Sequence, residues 1–255
     1  MLTSITAIVC FFMKNVTLRR ALSSDRWYRS CHSELQTALV SLARPVRLAH
    51  GEELFLLGEQ SQGLFCVLDG ALLVSNVDRD GKVAVLSQVE PVQWFGEIST
   101  LDRGPRHFSA HANGDTKVLC VDGAVLEPWL NAHPLCWRDL GVLASGKLRV
   151  ALDVIQEQAF LPLEQRVFRR LERIASGYGS RVTPKKRVRI PQEVIAQMLG
   201  VSRQSANRAL KYLEEVGLIF RSYGIVELRT RATTDEKSCG GPTTSSPPWA
   251  MEPGP

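Results

Sequence analysis

The stretch whose reading decides the fold is Gln192-Glu193-Val194-Ile195-Ala196-Gln197-Met198-Leu199-Gly200-Val201-Ser202-Arg203-Gln204-Ser205-Ala206-Asn207-Arg208-Ala209-Leu210. Its pattern predicts two short helices joined by a sharp turn. Ala196 is small where the helices cross, and Gly200 supplies the positive φ that stops the first helix. Ile195, Leu199, Val201, Ala206 and Ala209 point into the crossing. Ser202 is a good N-cap for the second helix, which leaves Arg203, Gln204, Asn207 and Arg208 facing outward from its first two turns, with Ser205 and Lys211 beside them. A helix-turn-helix of this kind offers that surface to a DNA major groove.

The charge around the motif agrees with a phosphate-binding face. Between Arg181 and Arg231 there are eleven basic and four acidic residues, whereas the whole chain of 255 residues carries only +5. The basicity is thus expected to sit in one domain. A short hairpin pattern, Leu218 to Leu228, follows the second helix. The tail from Ala232 is rich in Pro, Gly, Ser and Thr and is expected to be disordered, because it has too little apolar surface to fold.

Upstream, apolar residues recur at helical spacing from Pro128 to Ala159. Ala144, Leu148, Ala151, Leu152, Ile155 and Ala159 form one seam, and Leu140, Leu143, Val150 and Val154 a second flank. A helix with two apolar faces needs two partners, here its own domain and the same helix of a second subunit. Pro162 ends it, and Leu163, Val167, Leu171 and Ile174 begin a new amphipathic segment. Before the long helix, a short one is expected over Ser33–Ala43. Between them lie β-rich runs, Glu53–Leu57, Leu64–Leu68, Leu72–Asn76, Val83–Gln88, Phe108–Ala112 and Lys117–Val121, separated by turn pairs such as Asp69-Gly70, Asp80-Gly81 and Asn113-Gly114. That rhythm predicts a sandwich or roll.

Within this β region, Trp94-Phe95-Gly96-Glu97-Ile98-Ser99, followed by Arg106, carries the other chemistry. A glycine admits close backbone approach, amides opening a short helix can receive a phosphate, an arginine can clamp it, and a glutamate can accept bonds from a ribose. Glu97 and Arg106 could instead pair with each other or with the backbone to close the roll.

Gly51-Glu52-x-Leu54-Phe55-x-x-Gly58-Glu59, Asp80-Gly81, Trp94-Phe95-Gly96-Glu97-Ile98, Gly104-Pro105-Arg106 and the stretch Ile190 to Leu210, in this order, resemble the CRP/FNR family of bacterial transcription regulators over residues 30 to 230. The resemblance implies an α+β chain: an N-terminal, jelly-roll-like β-roll of the cyclic-nucleotide-binding type, a long dimerisation helix and a C-terminal winged helix-turn-helix domain. It places residues 1–28 in an N-terminal extension, 29–133 in the effector-binding roll, 134–160 in the dimerisation helix, 161–231 in the DNA-binding domain and 232–255 in the tail. Gly96, Glu97, Ile98, Ser99, Arg106 and His107 become the candidate effector residues. The implied function is a homodimeric, cytoplasmic regulator that binds a double-stranded DNA operator and RNA polymerase, with operator binding gated by a small-molecule effector. The alternative is a cyclic-nucleotide-binding-type regulatory module with no transcriptional role.

The chain departs from the nucleotide-binding pattern at two places. His107 and Phe108 follow Arg106 where a small hydroxyl residue is usual, and Ala151 and Leu152 stand where cyclic-AMP-responsive members offer hydroxyls to the base. Both argue against cyclic AMP, though another cyclic nucleotide remains a candidate. Cysteines at 10, 31, 66, 120, 136 and 239 show no CxxC pair and no Cys/His cluster, so neither a metal site nor an iron-sulfur cluster is expected and the thiols read as reduced and mostly buried. No catalytic set is visible either: His107 and His111, placed on one strand, would lie about 13 Å apart at ~3.3 Å per residue. The longest apolar run, Ile5–Met13, is far short of the ~18 residues a membrane helix needs, and it lacks the flanks of a signal peptide. Met13 is a candidate alternative start.

Overall fold

The computed structural model describes residues 17–229 apart from 61, 78 and 82. Ile5–Met13, Cys10, Cys239 and the tail from Ala232 lie outside the described residues. The chain divides into two units, residues 1–161 with 173–185, and residues 162–172 with 186–255.

After a helical segment at residues 17–22, the first unit has two short helices, α1 (Arg26–Ser30) and α2 (Ser33–Ser41). Eight strands follow: β1 (Arg44–Leu48), β2 (Glu53–Phe55), β3 (Gly63–Asp69), β4 (Leu72–Val77), β5 (Val83–Val89), β6 (Trp94–Phe95), β7 (Ser109–Ala112) and β8 (Thr116–Asp122), with the short helix α3 (Glu97–Asp102) between β6 and β7. They pair antiparallel in two four-stranded sheets ordered β1-β8-β3-β6 and β2-β7-β4-β5. The strand period of two explains why β3 is buried on both faces. Phe65 and Val67 point into the roll, where they meet Phe55, Leu72, Phe95 and Val118. Leu64 and Cys66 point out, against Trp27, Tyr28, Leu35, Trp94 and Leu140. The second cluster packs the helices onto the roll. Burial raises the thiol of Cys66 well above its ordinary pKa, and Cys31, Cys120 and Cys136 are likewise buried and unpaired with one another.

The apolar periodicity from Pro128 to Ala159 covers two helices, and the second of them falls within the 134–160 segment expected for the dimerisation helix. α4 (Gly123–Ala132) starts earlier because the Asp122 side chain caps it, accepting from the Ala124 N–H at 2.9 Å, and Pro128 lies inside it. Pro134 falls in the break that follows. α5 (Cys136–Phe160) is 25 residues long, roughly 37 Å at ~1.5 Å per residue, and ends before Pro162. Leu140 and Leu143 are buried against the roll, whereas Leu148, Leu152 and Ile155 are 60%, 52% and 62% exposed. α6 (Leu163–Ala175) follows, its last turn belonging to the first unit.

That last turn and the loop after it are fastened locally. Arg173 is paired with Glu157 of α5, and Arg181 and Lys185 both reach the buried Glu90 at 3.1 and 2.8 Å. Two of the eleven cations counted toward a DNA face therefore belong to the first unit, where they share one carboxylate.

The second unit contains β9 (Arg187–Arg189), α7 (Gln192–Leu199), α8 (Arg203–Glu215), β10 (Ile219–Ser222) and β11 (Ile225–Leu228), with a three-stranded antiparallel sheet ordered β10-β11-β9. Val167, Leu171, Ile195, Ala206, Leu210 and Val226 are buried. This is the winged helix-turn-helix arrangement, and the described residues have the α+β fold that the sequence implies.

Candidate effector cassette and nucleic-acid surface

The turn between β6 and α3 requires a glycine. Gly96 has φ +97°, and a Cβ there would stand 2.4 Å from the carbonyl oxygen of Gly63. The close approach brings four of the six candidate residues together. Arg106 is buried, and its Nη1 donates to Ser99 Oγ at 2.7 Å and to the Gly96 carbonyl at 3.3 Å, while Nη2 donates to the Gly63 carbonyl at 3.4 Å. Its guanidinium lies over Phe55 and Phe65, 4.5 and 5.1 Å from the ring centroids. Desolvation lowers its pKa from the usual value, opposed by Glu59. A guanidinium still holds its proton at neutral pH, so a positive charge is sealed among aromatic rings.

Glu97 is buried at the start of α3, and Lys147 of α5 donates to it at 2.6 Å. Of the alternatives read from the sequence, Arg106 takes the one with backbone groups, through the Gly96 and Gly63 carbonyls, while Glu97 takes Lys147. Nothing in the sequence pattern singled out Lys147, which lies 50 residues from Glu97. Ile98 is 52% exposed and His107 is exposed, with its ring edge-on to Phe108, so these two candidates stand outside the cluster. His107 also precedes β7, so it does not share a strand with His111.

A cleft of about 530 Å³ opens against Val46, Phe65 and Cys120 on the inner side of the roll, with Arg44, Glu53, Glu59 and Asp122 among its lining residues. Arg106 does not line it.

The helix-turn-helix follows its sequence grammar. Gly200 ends α7 at φ +65°, and the Ser202 side chain caps α8 by accepting from the Ser205 N–H at 3.1 Å. Arg166 of α6 donates to the terminal carbonyl of Leu199 at 3.2 Å. Arg203, Gln204, Asn207, Arg208 and Lys211 are exposed, whereas Ser205 is half-buried and bonded to Ser202 and Arg208. Arg221 of β10 was missed by the sequence reading. It is held by Glu214, whose carboxyl is pulled below its usual pKa by hydrogen bonds from Arg221, and its Nη1 donates to Asn207 Oδ1 at 3.0 Å. That bond occupies the Asn207 side-chain oxygen and leaves its amide N–H groups as the donors the side chain has to offer.

The seam residues Leu148, Ala151, Leu152, Ile155 and Ala159 lie exposed along α5, with Ala144 half-buried. At the other end of α5, folding makes a Cys/His cluster that the linear spacing does not contain. Donor atoms of His32, Cys136 and Asp139 lie within 4.8 Å of one another. Among the described residues no helix is long and apolar enough to cross a membrane.

Comparison with known proteins bears on both sites. A family model described as the cyclic nucleotide-binding domain matches residues 45–133, and one described as the Crp-like helix-turn-helix domain matches residues 165–232. A CRP-like cAMP-activated global transcriptional regulator of Mycobacterium tuberculosis is 29% identical over 175 residues, 68% of this chain and 78% of that protein. The cyclic AMP receptor protein of Thermus thermophilus is 29% identical over 191 residues, covering 74% and 86%. Among solved structures, FixK2 from Bradyrhizobium japonicum superposes with a TM-score of 0.64 at 23% identity, covering 74% of this chain and 93% of its own.

Proposed function

Because this chain belongs to the CRP/FNR family of transcription regulators, we propose that it acts as a cytoplasmic homodimer that reads an operator with α8 and answers an anionic effector through the Gly96–Arg106 cassette. DNA reading rests on one observation: Arg203, Gln204, Asn207 and Arg208 project together from a helix whose opposite face is buried. Arg203 and Arg208 suit guanine edges or phosphates, and Gln204 suits adenine. Asn207, its oxygen engaged by Arg221, suits a phosphate oxygen better than the bidentate adenine contact. The exposed α5 seam is the surface for the second protomer, which would space two recognition helices one turn of DNA, ~34 Å, apart. Contact with RNA polymerase is part of the same reading. The molecule works by binding rather than by catalysis.

Effector gating rests on the charges. Glu97 and Arg106 are each satisfied internally, and the partner of Glu97 comes from α5. An anion arriving beside Arg106 competes with Ser99 and the two carbonyls. A hydroxyl arriving at Glu97 competes with Lys147, so occupancy is felt by the long helix. An effector alters DNA binding only to the extent that it prefers one state. Cyclic AMP is the nucleotide named for the relatives, but Ala151 and Leu152 have no side-chain donor for a base and His107 turns away from the cluster. The effector is accordingly a phosphorylated small molecule other than cyclic AMP. Calorimetric titration with cyclic AMP, cyclic GMP and a panel of nucleotides, repeated on Arg106→Ala, tests this. The expected result is micromolar binding of a panel member that disappears in the variant. Micromolar cyclic AMP binding that disappears in Arg106→Ala would overturn it.

A further inference from the structure

His32 ends the junction between α1 and α2, and Cys136 and Asp139 lie three residues apart on the first turn of α5, so one face of a helix presents a thiol and a carboxylate to an imidazole 104 positions earlier in the chain. Cys136 and Asp139 are buried and His32 is exposed. The carboxylate is already oriented: Asp139 Oδ2 accepts the backbone N–H of His32 at 3.0 Å and lies 2.9 Å from His32 Nδ1. The backbone of the same turn is pinned by Trp27, whose Nε1 donates to the Asp139 carbonyl at 2.6 Å.

We propose that His32, Cys136 and Asp139 form a binding site for a borderline-soft divalent cation of the zinc class, tying the N-terminal helices to the head of α5. The donor chemistry selects the ion. One sulfur, one imidazole nitrogen and one carboxylate oxygen match the ligand types zinc takes, while magnesium and calcium ask for several oxygens. Spacing fits as well. Ligands at ~2.0–2.3 Å around a tetrahedral ion lie about 3.3–3.8 Å from one another, so a set already within 4.8 Å closes by small rotations. Charge is balanced, since a thiolate, a carboxylate and a neutral imidazole around a divalent ion sum to zero, which suits two buried ligands. The ion displaces the thiol proton of Cys136 to solvent, and the exposed side of His32 leaves the fourth position to water.

The intact chain, stripped of metal by chelation and titrated with cobalt(II), gives the test. The expected result is about one equivalent bound, with the visible bands of a tetrahedral ion and a thiolate-to-cobalt charge-transfer band. Cys136→Ser should abolish the charge-transfer band. His32→Ala, a change at an exposed ring, should weaken binding at least tenfold while its circular dichroism matches wild type. Zinc should raise the melting temperature of wild type and not of Cys136→Ser. An identical cobalt spectrum in both variants would assign the metal to other thiols and overturn the proposal, as would no binding to wild type at micromolar free metal.

Discussion

Replacing Leu148 and Ile155 together by Glu should dissociate the dimer without unfolding the protomer. In the single chain these side chains are 60% and 62% exposed, so little of the protomer's own core depends on them. Full burial of a Leu or Ile side chain stabilises by about 1.5–3 kcal/mol, and covering the exposed three-fifths against a partner by about 1–2. Two positions on each of two protomers total about 4–7 kcal/mol, or roughly three to five powers of ten in the dissociation constant. Carboxylates facing one another across a two-fold axis add to the loss. Sedimentation at micromolar concentration should find the wild type dimeric and the variant monomeric. Thermal melting of the variant at low concentration should lie close to that of dissociated wild type, and its footprint on an operator should vanish. A variant that stays dimeric would refute the seam, and a wild type monomeric at tens of micromolar would refute the dimer.

Gln204→Glu should change the preferred base pair under that side chain from adenine-bearing toward cytosine-bearing, with a discrimination of about 1–3 kcal/mol per half-site; selection of bound oligonucleotides checks this, and an identical consensus from both proteins counts against it. Asp25 is the buried N-cap of α1, accepting from the Tyr28 N–H at 2.7 Å, and burial raises its pKa from 3.8 to about 6. The native state therefore holds a proton that the unfolded chain releases, so stability falls as pH rises from about 4 to 6 and is flat above. Asp25→Asn keeps the cap and should remove that slope, leaving the variant up to about 3 kcal/mol more stable at neutral pH and level with wild type near pH 4. Urea unfolding at four pH values measures the difference; parallel curves would sink the assignment.

Local signals placed most elements, and the failures have definite causes. β1 contains Pro45, which reads as a breaker, yet β1 lies at the edge of its sheet where a missing N–H costs little. Three-residue β9, Arg187–Arg189, reads as a basic loop because only Val188 is apolar. The apolar periodicity beginning at Pro128 runs across two helices, α4 and α5, because it does not register the break at Pro134. The start of α4 is fixed by the Asp122 cap, a stronger local term that the apolar periodicity did not register.

The sites divide along the same line. The surface proposed to read DNA was legible as a cap, a turn and a set of exposed side chains because these lie within one continuous stretch, so helical geometry alone relates them. The cassette was half legible. Gly96, Glu97, Ser99 and Arg106 are close in sequence, but what each side chain binds is decided by α5 and by the Phe55–Phe65 wall. Lys147, Arg221 and the His32–Cys136–Asp139 set carry no local signature at all, being joined to their partners only by tertiary folding. Each brings a charge or ligand to a group whose local sequence predicts a different partner. Glu97 is neutralised by a helix rather than by Arg106, and Asn207 is oriented by the wing rather than by its own helix. Since both relays run through elements that a one-dimensional reading treats as scaffold, specificity in this chain should respond to substitutions in α5 and β10 that touch neither effector nor base.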